Sequence, residues 1–208
     1  MRLQYHRRIT TQALEKHVSP AALETIIAAN FGQDALCYQF GHDHFHYDNN
    51  SFAVGDAYIQ AQRRAVMDAL ARGEARPAWQ AFGRLTHAAQ DFYAHSNYVG
   101  LWRERDPGAA PDQIPPLLAE VLSDSRLHSG RLYYPLGVLS FFSVLQPLVA
   151  LFLPRNSHAW MNKDDPSRPD FDFAYVAAVK RTELEYQNIV RDLVPAQVAL
   201  FTGKSVSW

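Results

Sequence analysis

The chain has 208 residues, of which 48% are hydrophobic and 20% charged, so it is long enough to bury a substantial core. Its net charge of −1 excludes a strong overall field that would recruit nucleic acid or an anionic membrane. Its single cysteine, Cys37, excludes an internal disulfide framework and metal sites built from several thiolates.

The first residues, Met-Arg-Leu-Gln-Tyr-His, contain no apolar signal core. We therefore expect a cytoplasmic protein or one exported by a non-Sec route. Thr10 or Thr11 is expected to cap a short first helix. Ser19 is a good N-cap and Pro20 suits the first helical position, so a second helix is predicted from there to about residue 29. Residues 31–50 are less regular and contain a histidine cluster.

The rest of the chain also follows a mostly helical period. Helices are predicted over residues 51–71 and 77–98, a loop over 106–116, a short helix over 117–127, and a long amphipathic stretch over 171–201 that breaks near Pro195. No alternation typical of paired strands occurs. The sequence thus predicts an all-α fold in which residues 1–208 form a single multi-helix domain.

Residues 132–153 are unusual because none of these 22 residues is charged. That is the length of a membrane-spanning helix, but Pro135, Gly137, Gln146 and Pro147 interrupt it. We favour a buried or groove-lining hairpin, keep contact with a membrane surface as the alternative, and disfavour a true span.

The sharpest chemical signal is the row His87, Asp91 and His95. Residues spaced i, i+4 and i+8 project from one face of a helix, each about 6 Å from the next. The middle carboxylate has two oxygens and can bridge two metal ions about 3.5–4 Å apart. The alternative is a polar row on the solvent face. Neighbouring apolar residues partly enclose this row, which favours a ligand role.

Two weaker signals accompany this row. His42, His44 and His46 alternate, so they could chelate an ion if that segment were extended, or they could be a solvated loop. His158 and Asn162 are a second i, i+4 pair. Cys37 is expected to be a small buried residue.

The run Leu85-Thr-His-Ala-Ala-Gln-Asp-Phe-Tyr-Ala-His-Ser-Asn-Tyr98 resembles the signature of bacterial relatives of the fungal heterokaryon-incompatibility protein Het-C. That group is similar to the zinc-dependent phospholipase C and P1/S1 nuclease superfamily. His46-Tyr-Asp-Asn-Asn-Ser-Phe52 and Asn162-Lys-Asp-Asp-Pro166 resemble further marks of the group. His6 and Asp34 also fall where its pattern has ligands.

The resemblance implies an all-helical fold with a cluster of two or three Zn²⁺ ions between helices, although His and carboxylate ligands also suit Mn²⁺ or iron. It implies a first ion held by Asp34, His46, His87 and Asp91. It implies a second held by His95 and His158, completed by Asn162 or Asp164, and a third shared by His6 and Asp91. The choice between His44 and His46 stays open, with His46 favoured.

The implied activity is metal-assisted phosphodiester hydrolysis, with Asp34, Asp48 and Asp91 as catalytic carboxylates; Asp48 would orient water or support a ligating histidine. The substrate is expected to be a phosphatidylcholine-type phospholipid, because the charge balance and residues 132–153 favour lipid and disfavour nucleic acid. The alternatives are a P1/S1-like nuclease and a non-catalytic, membrane-interacting Het-C-type module with a structural metal. The sequence leaves the oligomeric state open.

Overall fold

A computed structural model describes residues 1–38, 41–139 and 145–204. In these ranges the backbone is helical, with two isolated bridges, Ser96 to Ser129 and Arg131 to Ser157, and no β-strand. The all-α prediction is therefore confirmed. The α-helices are Leu3–Leu14 (α1), Pro20–Phe31 (α2), Asp43–His46 (α3), Phe52–Ala71 (α4), Ala75–His95 (α5), Tyr98–Arg105 (α6), Ala119–Leu122 (α7), Leu136–Leu139 (α8), Gln146–Ala150 (α9), His158–Met161 (α10), Phe171–Arg191 (α11) and Pro195–Thr202 (α12).

Short 3₁₀ turns join some of these helices, at Gly32–Asp34, Leu36–Tyr38, Asp48–Asn50 and Pro111–Gln113. The predicted irregular stretch 31–50 thus becomes a series of single turns around α3. The predicted long amphipathic stretch is interrupted where expected, because α11 ends at Arg191 and Pro195 opens α12. Residues 39, 40 and 205–208 lie outside the described residues. The prediction that residues 1–208 form one domain stays a prediction.

Helix α5 is the centre of the fold. It packs against α2, α4 and α11, and every residue from Leu85 to His95 is buried. An isolated helix buries one stripe, but a helix surrounded by others is buried all round. Polar side chains in this part of α5 therefore have no access to bulk water and must find partners inside the protein.

The close approach of α2 to α5 depends on Gly83. A Cβ atom at this position would lie 2.3 Å from the carbonyl oxygen of Ile26 and 2.8 Å from the Cβ of Ala29. Both contacts are well inside van der Waals distance. The absence of a side chain at Gly83 therefore sets the spacing of the two helices just upstream of His87.

The first helix differs from the prediction. Thr10 and Thr11 lie inside α1, which begins at Leu3 and buries Tyr5, Ile9 and Leu14 against the core. That apolar spacing starts before the threonines, and packing against α11 and α2 stabilises the whole segment. The second boundary is confirmed, since the Ser19 side chain accepts a hydrogen bond from the amide of Ala22 and Pro20 is the first residue of α2.

Residues 132–153 do not form a buried hairpin, one of the two arrangements that we favoured; the other, a groove-lining hairpin, stays a prediction. Within the described part of this stretch only Val149 and Ala150 are buried, and several large apolar side chains are exposed. The helices here, α8 and α9, have four and five residues, too few to offer a full apolar face for packing. Residues 140–144 lie outside the described residues. Among the residues described, no helix is both long and apolar enough to cross a membrane.

We expect Gly83→Ala to lower the free energy of unfolding by about 1–3 kcal/mol, because the added methyl group overpacks the α2–α5 contact. Gly100→Ala in α6 is the matched control: a Cβ atom added at Gly100 would have no neighbour within 4 Å, and alanine favours a helix. Urea denaturation of both variants checks this. Equal stability of the two variants would contradict the assigned role of Gly83.

Candidate metal centre

The His87, Asp91 and His95 row points into the protein. The first two side chains are fully buried, and His95 is nearly so. The alternative of a polar row on the solvent face is therefore wrong. Because α5 is enclosed by other helices, the row faces residues carried by α1, by the turns after α2, and by α3 and α10.

The first group of potential ligands comprises Asp34, His46, His87 and Asp91, each offering one atom within 4.8 Å of the others. His46 Nδ1, His87 Nε2 and Asp91 Oδ2 are mutually 3.0–3.2 Å apart. Asp34 Oδ1 lies 4.0 Å from the His46 atom and 3.9 Å from the His87 atom. The sequence assigned these four residues to one ion, and the structure brings them together.

The spacing of the His46, His87 and Asp91 atoms is close to that of ligands around a tetrahedrally coordinated zinc ion, and Asp34 lies farther out. Ligands about 2.0–2.1 Å from zinc in a tetrahedron lie roughly 3.3–3.4 Å from one another. Burial lowers the pKa of His87 to about 4, so its ring is neutral at neutral pH. Burial opposes the charge on His46 too, but its hydrogen bond to Asp91 and the negative charges of Asp91 and Asp34 raise the pKa of His46, so a cation would have to displace a proton there. Burial opposes the charge on Asp91, but the Met1 amino group and the imidazoles of His95, His87 and His6 hold its pKa well below the usual range. A neutral imidazole and an ionised carboxylate are the forms that bind a metal.

His6 lies on the other side of the same two carboxylates. Its Nε2 is 3.3 Å from Asp91 Oδ1 and 4.0 Å from Asp34 Oδ2. In Asp91 and in Asp34, one carboxylate oxygen therefore faces His46 and His87, and the other faces His6. The Met1 nitrogen is also here, 2.6 Å from Asp91 Oδ1. The resemblance implies that Asp91 is shared between two ions, and each of its oxygens faces different potential ligands; the same is true of Asp34.

A second group comprises Asp48, His95 and His158. His95 Nδ1 donates to the carbonyl oxygen of His46 at 2.8 Å, which leaves Nε2 as its free ligand atom, 3.3 Å from Asp164 Oδ1. His158 Nδ1 lies 2.8 Å from Asp48 Oδ1. A carboxylate that accepts the second ring N–H of a ligating histidine fixes the direction of that ring. The geometry therefore favours Asp48 as the orienting group of His158 over a direct ligand.

The structure places the residues whose roles the sequence left open, and which of them binds an ion stays a prediction. Asp164 Oδ1 lies 3.3 Å from His95 Nε2. The Asn162 amide nitrogen donates to the backbone carbonyls of His158 and Ala159, whereas its Oδ1 is buried with no hydrogen-bond partner among the described residues. His46 is buried in the first group, whereas the ring of His44 packs on those of Phe45 and Tyr58. Because Asp43–His46 is helical, alternate histidines face different directions, and the extended chelating arrangement is wrong. Cys37 is exposed, contrary to expectation.

An unusual backbone places Asp48. Tyr47, Asn49 and Asn50 all have positive φ angles, between 54° and 58°. Asparagine tolerates this region, but for tyrosine it is unfavourable and needs support from the surroundings. The Tyr47 ring is buried, and its hydroxyl donates to Asp56 at 2.7 Å. The loop carrying Asp48 is therefore held by a tyrosine anchor.

Residues 128–132 hold the other side of that loop. The Asn49 amide donates to the carbonyl oxygen of Gly130 at 2.9 Å. In return, the Leu132 amide donates to the side-chain oxygen of Asn49 at 2.8 Å. A Cβ on Gly130 would meet the Cα of His158 at 2.6 Å. The segment is thus packed directly between the loop of Asp48 and the helix of His158, which explains how residues so distant in sequence meet.

Sequence reasoning missed a buried amide network behind the ligands. Gln90 Oε1 accepts from His6 Nδ1 at 2.6 Å, and Gln90 Nε2 donates to the hydroxyls of Thr10 and Thr182. Those two donations fix the orientation of the amide. His6 Nδ1 must then carry the proton, and its Nε2 presents a lone pair to Asp91 and Asp34.

Asn30 has the same relation to His87. Its amide nitrogen donates to Thr86 and Gln90, and its oxygen lies 3.4 Å from His87 Nδ1. His87 Nε2 therefore presents its lone pair to the first group. Thr10, Asn30 and Gln90 are fully buried polar residues on otherwise apolar helix faces. That mismatch is the sequence signal that could have identified them.

Two comparisons place the chain among known proteins. A family model described as the VWA7 N-terminal domain matches residues 6–109, half of the chain. A von Willebrand factor A domain-containing protein 7 from Rattus norvegicus is 36% identical over 87 residues, which cover 42% of this chain and 10% of that protein. The chain thus matches only about a tenth of the length of that relative. No solved structure matches significantly.

Exchanging His46 for glutamine is expected to weaken metal binding at least about tenfold, because the first group loses an imidazole. His44→Gln, two residues away, is expected to leave binding unchanged. Zinc affinity measured by competition with a chromophoric chelator checks both variants. Loss of binding in His44→Gln with retention in His46→Gln would show that the wrong histidine has been assigned.

Removing the Gln90 amide in Gln90→Leu is expected to lower zinc affinity by about 10–100-fold, because His6 loses the acceptor that sets its tautomer. The buried donors left unpaired should also lower the free energy of unfolding by about 1–3 kcal/mol. The exposed Gln60→Ala is the control. Chelator competition and urea denaturation give the two quantities, and an unchanged affinity in folded Gln90→Leu would contradict this role.

Proposed function

The chain belongs to the family of VWA7 N-terminal domains, and we propose that this member is a zinc-dependent phosphodiesterase of the phospholipase C type. The observation that carries the proposal is the convergence of buried imidazoles and carboxylates in two adjacent groups. Structural ion pairs seldom collect five histidines around shared carboxylates. Clustered ligands of this kind are typical of two-metal hydrolytic sites.

The residues fit zinc. The donors are imidazole nitrogens and carboxylate oxygens, which zinc accepts, as do manganese and iron. His6 Nε2 is buried with no hydrogen-bond partner among the described residues, although it faces two carboxylates. A cation between these groups would satisfy that nitrogen. Bound zinc ions would acidify water and neutralise charge on the phosphoryl oxygens.

The chain's own carboxylates would have distinct roles. Asp91 is fully buried and joins His6 to the first group, so it holds the ligands in place. Asp34 is 24% exposed and lies at the edge of the same group, so it is the carboxylate placed to accept the proton of an attacking water. Asp48 would orient the His158 ring.

Solvent access favours catalysis over a purely structural metal. Asp34 and Asp164, one beside each group, have side chains that are 24% and 22% exposed, whereas the histidine ligands are almost wholly buried. A structural site is closed by its protein ligands, whereas a catalytic site keeps a side open to water and substrate. The two partly exposed carboxylates mark that side.

A phosphatidylcholine-type phospholipid is the proposed substrate. The exposed apolar side chains of residues 132–153 follow Arg131, whose carbonyl oxygen accepts from the amide of His158. Diacyl lipids need an apolar surface of this kind beside the metals, whereas a nuclease needs stacking platforms and a cationic groove. The proposed compartment is the cytoplasm or an exterior reached by a non-Sec route.

We expect the purified protein to contain two or three zinc ions and to cleave a choline phosphodiester reporter. Asp91→Asn should lose most of the metal and at least about 100-fold in rate, because one neutral amide replaces the shared charge. The exposed Asp68→Asn is the matched control. Metal content by mass spectrometry and reporter hydrolysis are the measurements.

Two outcomes would contradict the proposal. Wild type that binds no transition metal would remove the centre altogether. Wild type that binds zinc but cleaves neither the choline reporter nor phospholipid would leave the metal a structural role. Cleavage of single-stranded nucleic acid in place of lipid would favour the nuclease alternative.

A further inference from the structure

Exposed apolar side chains are concentrated in one part of the molecule. Eleven large hydrophobic residues are exposed in the described ranges, and six of them fall within residues 134–152. We call these six the apolar surface: Tyr134, Leu139, Leu145, Leu148, Leu151 and Phe152. Leu148, Leu151 and Phe152 are 60%, 71% and 72% exposed. A concentration of this kind marks an interaction site, whereas single exposed residues do not.

The apolar surface is attached directly to the metal centre. Its chain enters at Arg131, whose carbonyl oxygen accepts from His158 N at 2.9 Å, while Arg131 N donates to Asn156 O at 2.9 Å. At its other end, the Trp160 indole donates to Ala150 O at 2.8 Å. His158 and Trp160 both lie on α10. A ligand held on the apolar surface is therefore next to the helix that supplies His158.

Tyr134 extends the apolar surface toward the catalytic carboxylates. Tyr134 follows Leu132, whose amide donates to the Asn49 side chain at 2.8 Å, so this ring is carried two residues from the loop that contains Asp48. The ring is nevertheless 54% exposed. An amphipathic side chain in such a place suits the boundary between an apolar phase and water.

The charge pattern identifies the partner. Residues 132–153 contain no charge, and the exposed Arg131 and Arg155 stand at the two chain ends of this segment, which meet where Arg131 N donates to Asn156 O. Arg155 lies 3.8 Å above the ring of Trp160. The uncharged apolar side chains match the acyl region of a bilayer, and the arginines match the lipid phosphates. A tryptophan suits the boundary between these two regions. A protein partner would not require this combination.

We propose that the apolar surface inserts into the interfacial layer of a phospholipid membrane, with Arg131 and Arg155 at the level of the lipid phosphates. α8 and α9 are too short to cross a bilayer, so the contact is peripheral. Insertion brings the phosphodiester of a bound lipid next to α10, the helix that carries His158. The catalytic part of this proposal rests on the proposed function, and membrane binding itself does not.

Flotation with large unilamellar vesicles tests the binding. The probes are vesicles of phosphatidylcholine alone or mixed with phosphatidylserine. Wild type is expected to float with both, more strongly with the anionic mixture. Leu151→Glu/Phe152→Glu should lower the partition coefficient at least about tenfold, because two apolar side chains become charged. Val194→Glu is the matched control, since Val194 is 58% exposed at the start of α12, which packs against α4 and α5.

Catalysis is measured separately on the same three proteins. The double variant is expected to cleave the soluble choline reporter like wild type but to hydrolyse vesicle phosphatidylcholine at least about tenfold more slowly. If nothing is hydrolysed while vesicle binding and its loss in the variant hold, the proposed function fails and the membrane surface stands. Hydrolysis of the reporter without any vesicle binding overturns the membrane surface alone.

Two further results would overturn the proposal. One is a folded double variant that floats as well as wild type. The other is wild type that does not float and sediments as a dimer, with Leu151→Glu/Phe152→Glu sedimenting as a monomer. That second result would assign the apolar surface to a second copy of the chain. Circular dichroism and thermal unfolding confirm that the variants are folded.

Discussion

A carboxylate charge enclosed at Asp91 is the constraint on which the rest of this molecule depends. An isolated ion in a protein interior is strongly unfavourable, so its charge must be balanced by a nearby amino group, by donors or by a cation that the surrounding side chains hold. His46, His87 and His6 approach the two oxygens of Asp91 from three different helices. The packing of α1, α3 and α5 around one another is therefore tied to a single buried charge. Gly83 lets α2 approach α5 just before His87, and the Gln90 amide holds the ring of His6 beside Asp91.

How far the sequence could predict the centre depends on where each ligand lies. Spacing along one helix identified His87, Asp91 and His95, because the helical period alone places them on one face. Asp34 and His6 came from a family resemblance, since they sit on elements whose relative placement no local pattern contains. Which of Asn162 and Asp164 lies beside His95 could be learned only from coordinates. It depends on how the backbone turns after α10, where Lys163 N donates to Ala94 O.

The fold was predictable to a similar extent. Helical periodicity gave α2, α4, α5 and the break before α12, but it failed at α1, where two threonines resembled caps although the apolar spacing began earlier. For residues 132–153 the prediction failed in another way, since we expected burial and most of the large apolar side chains described there are exposed. Their composition suggested burial because hydrophobic residues usually lie inside. Exposure there depends on whether a neighbouring element offers a matching face, and short helices of four and five residues form no such layer.

The two halves of the centre differ in their relation to the family match. The matched segment, residues 6–109, contains the whole first group (Asp34, His46, His87 and Asp91) together with His6. Of the second group it contains only Asp48 and His95. His158 and Asp164 come from beyond the matched segment. The first group is therefore carried wholly by the segment that defines the family, whereas the second group needs side chains from both inside and outside it. The second group can thus be removed by substitutions outside the matched segment, and the helical scaffold around Asp91 does not depend on those residues.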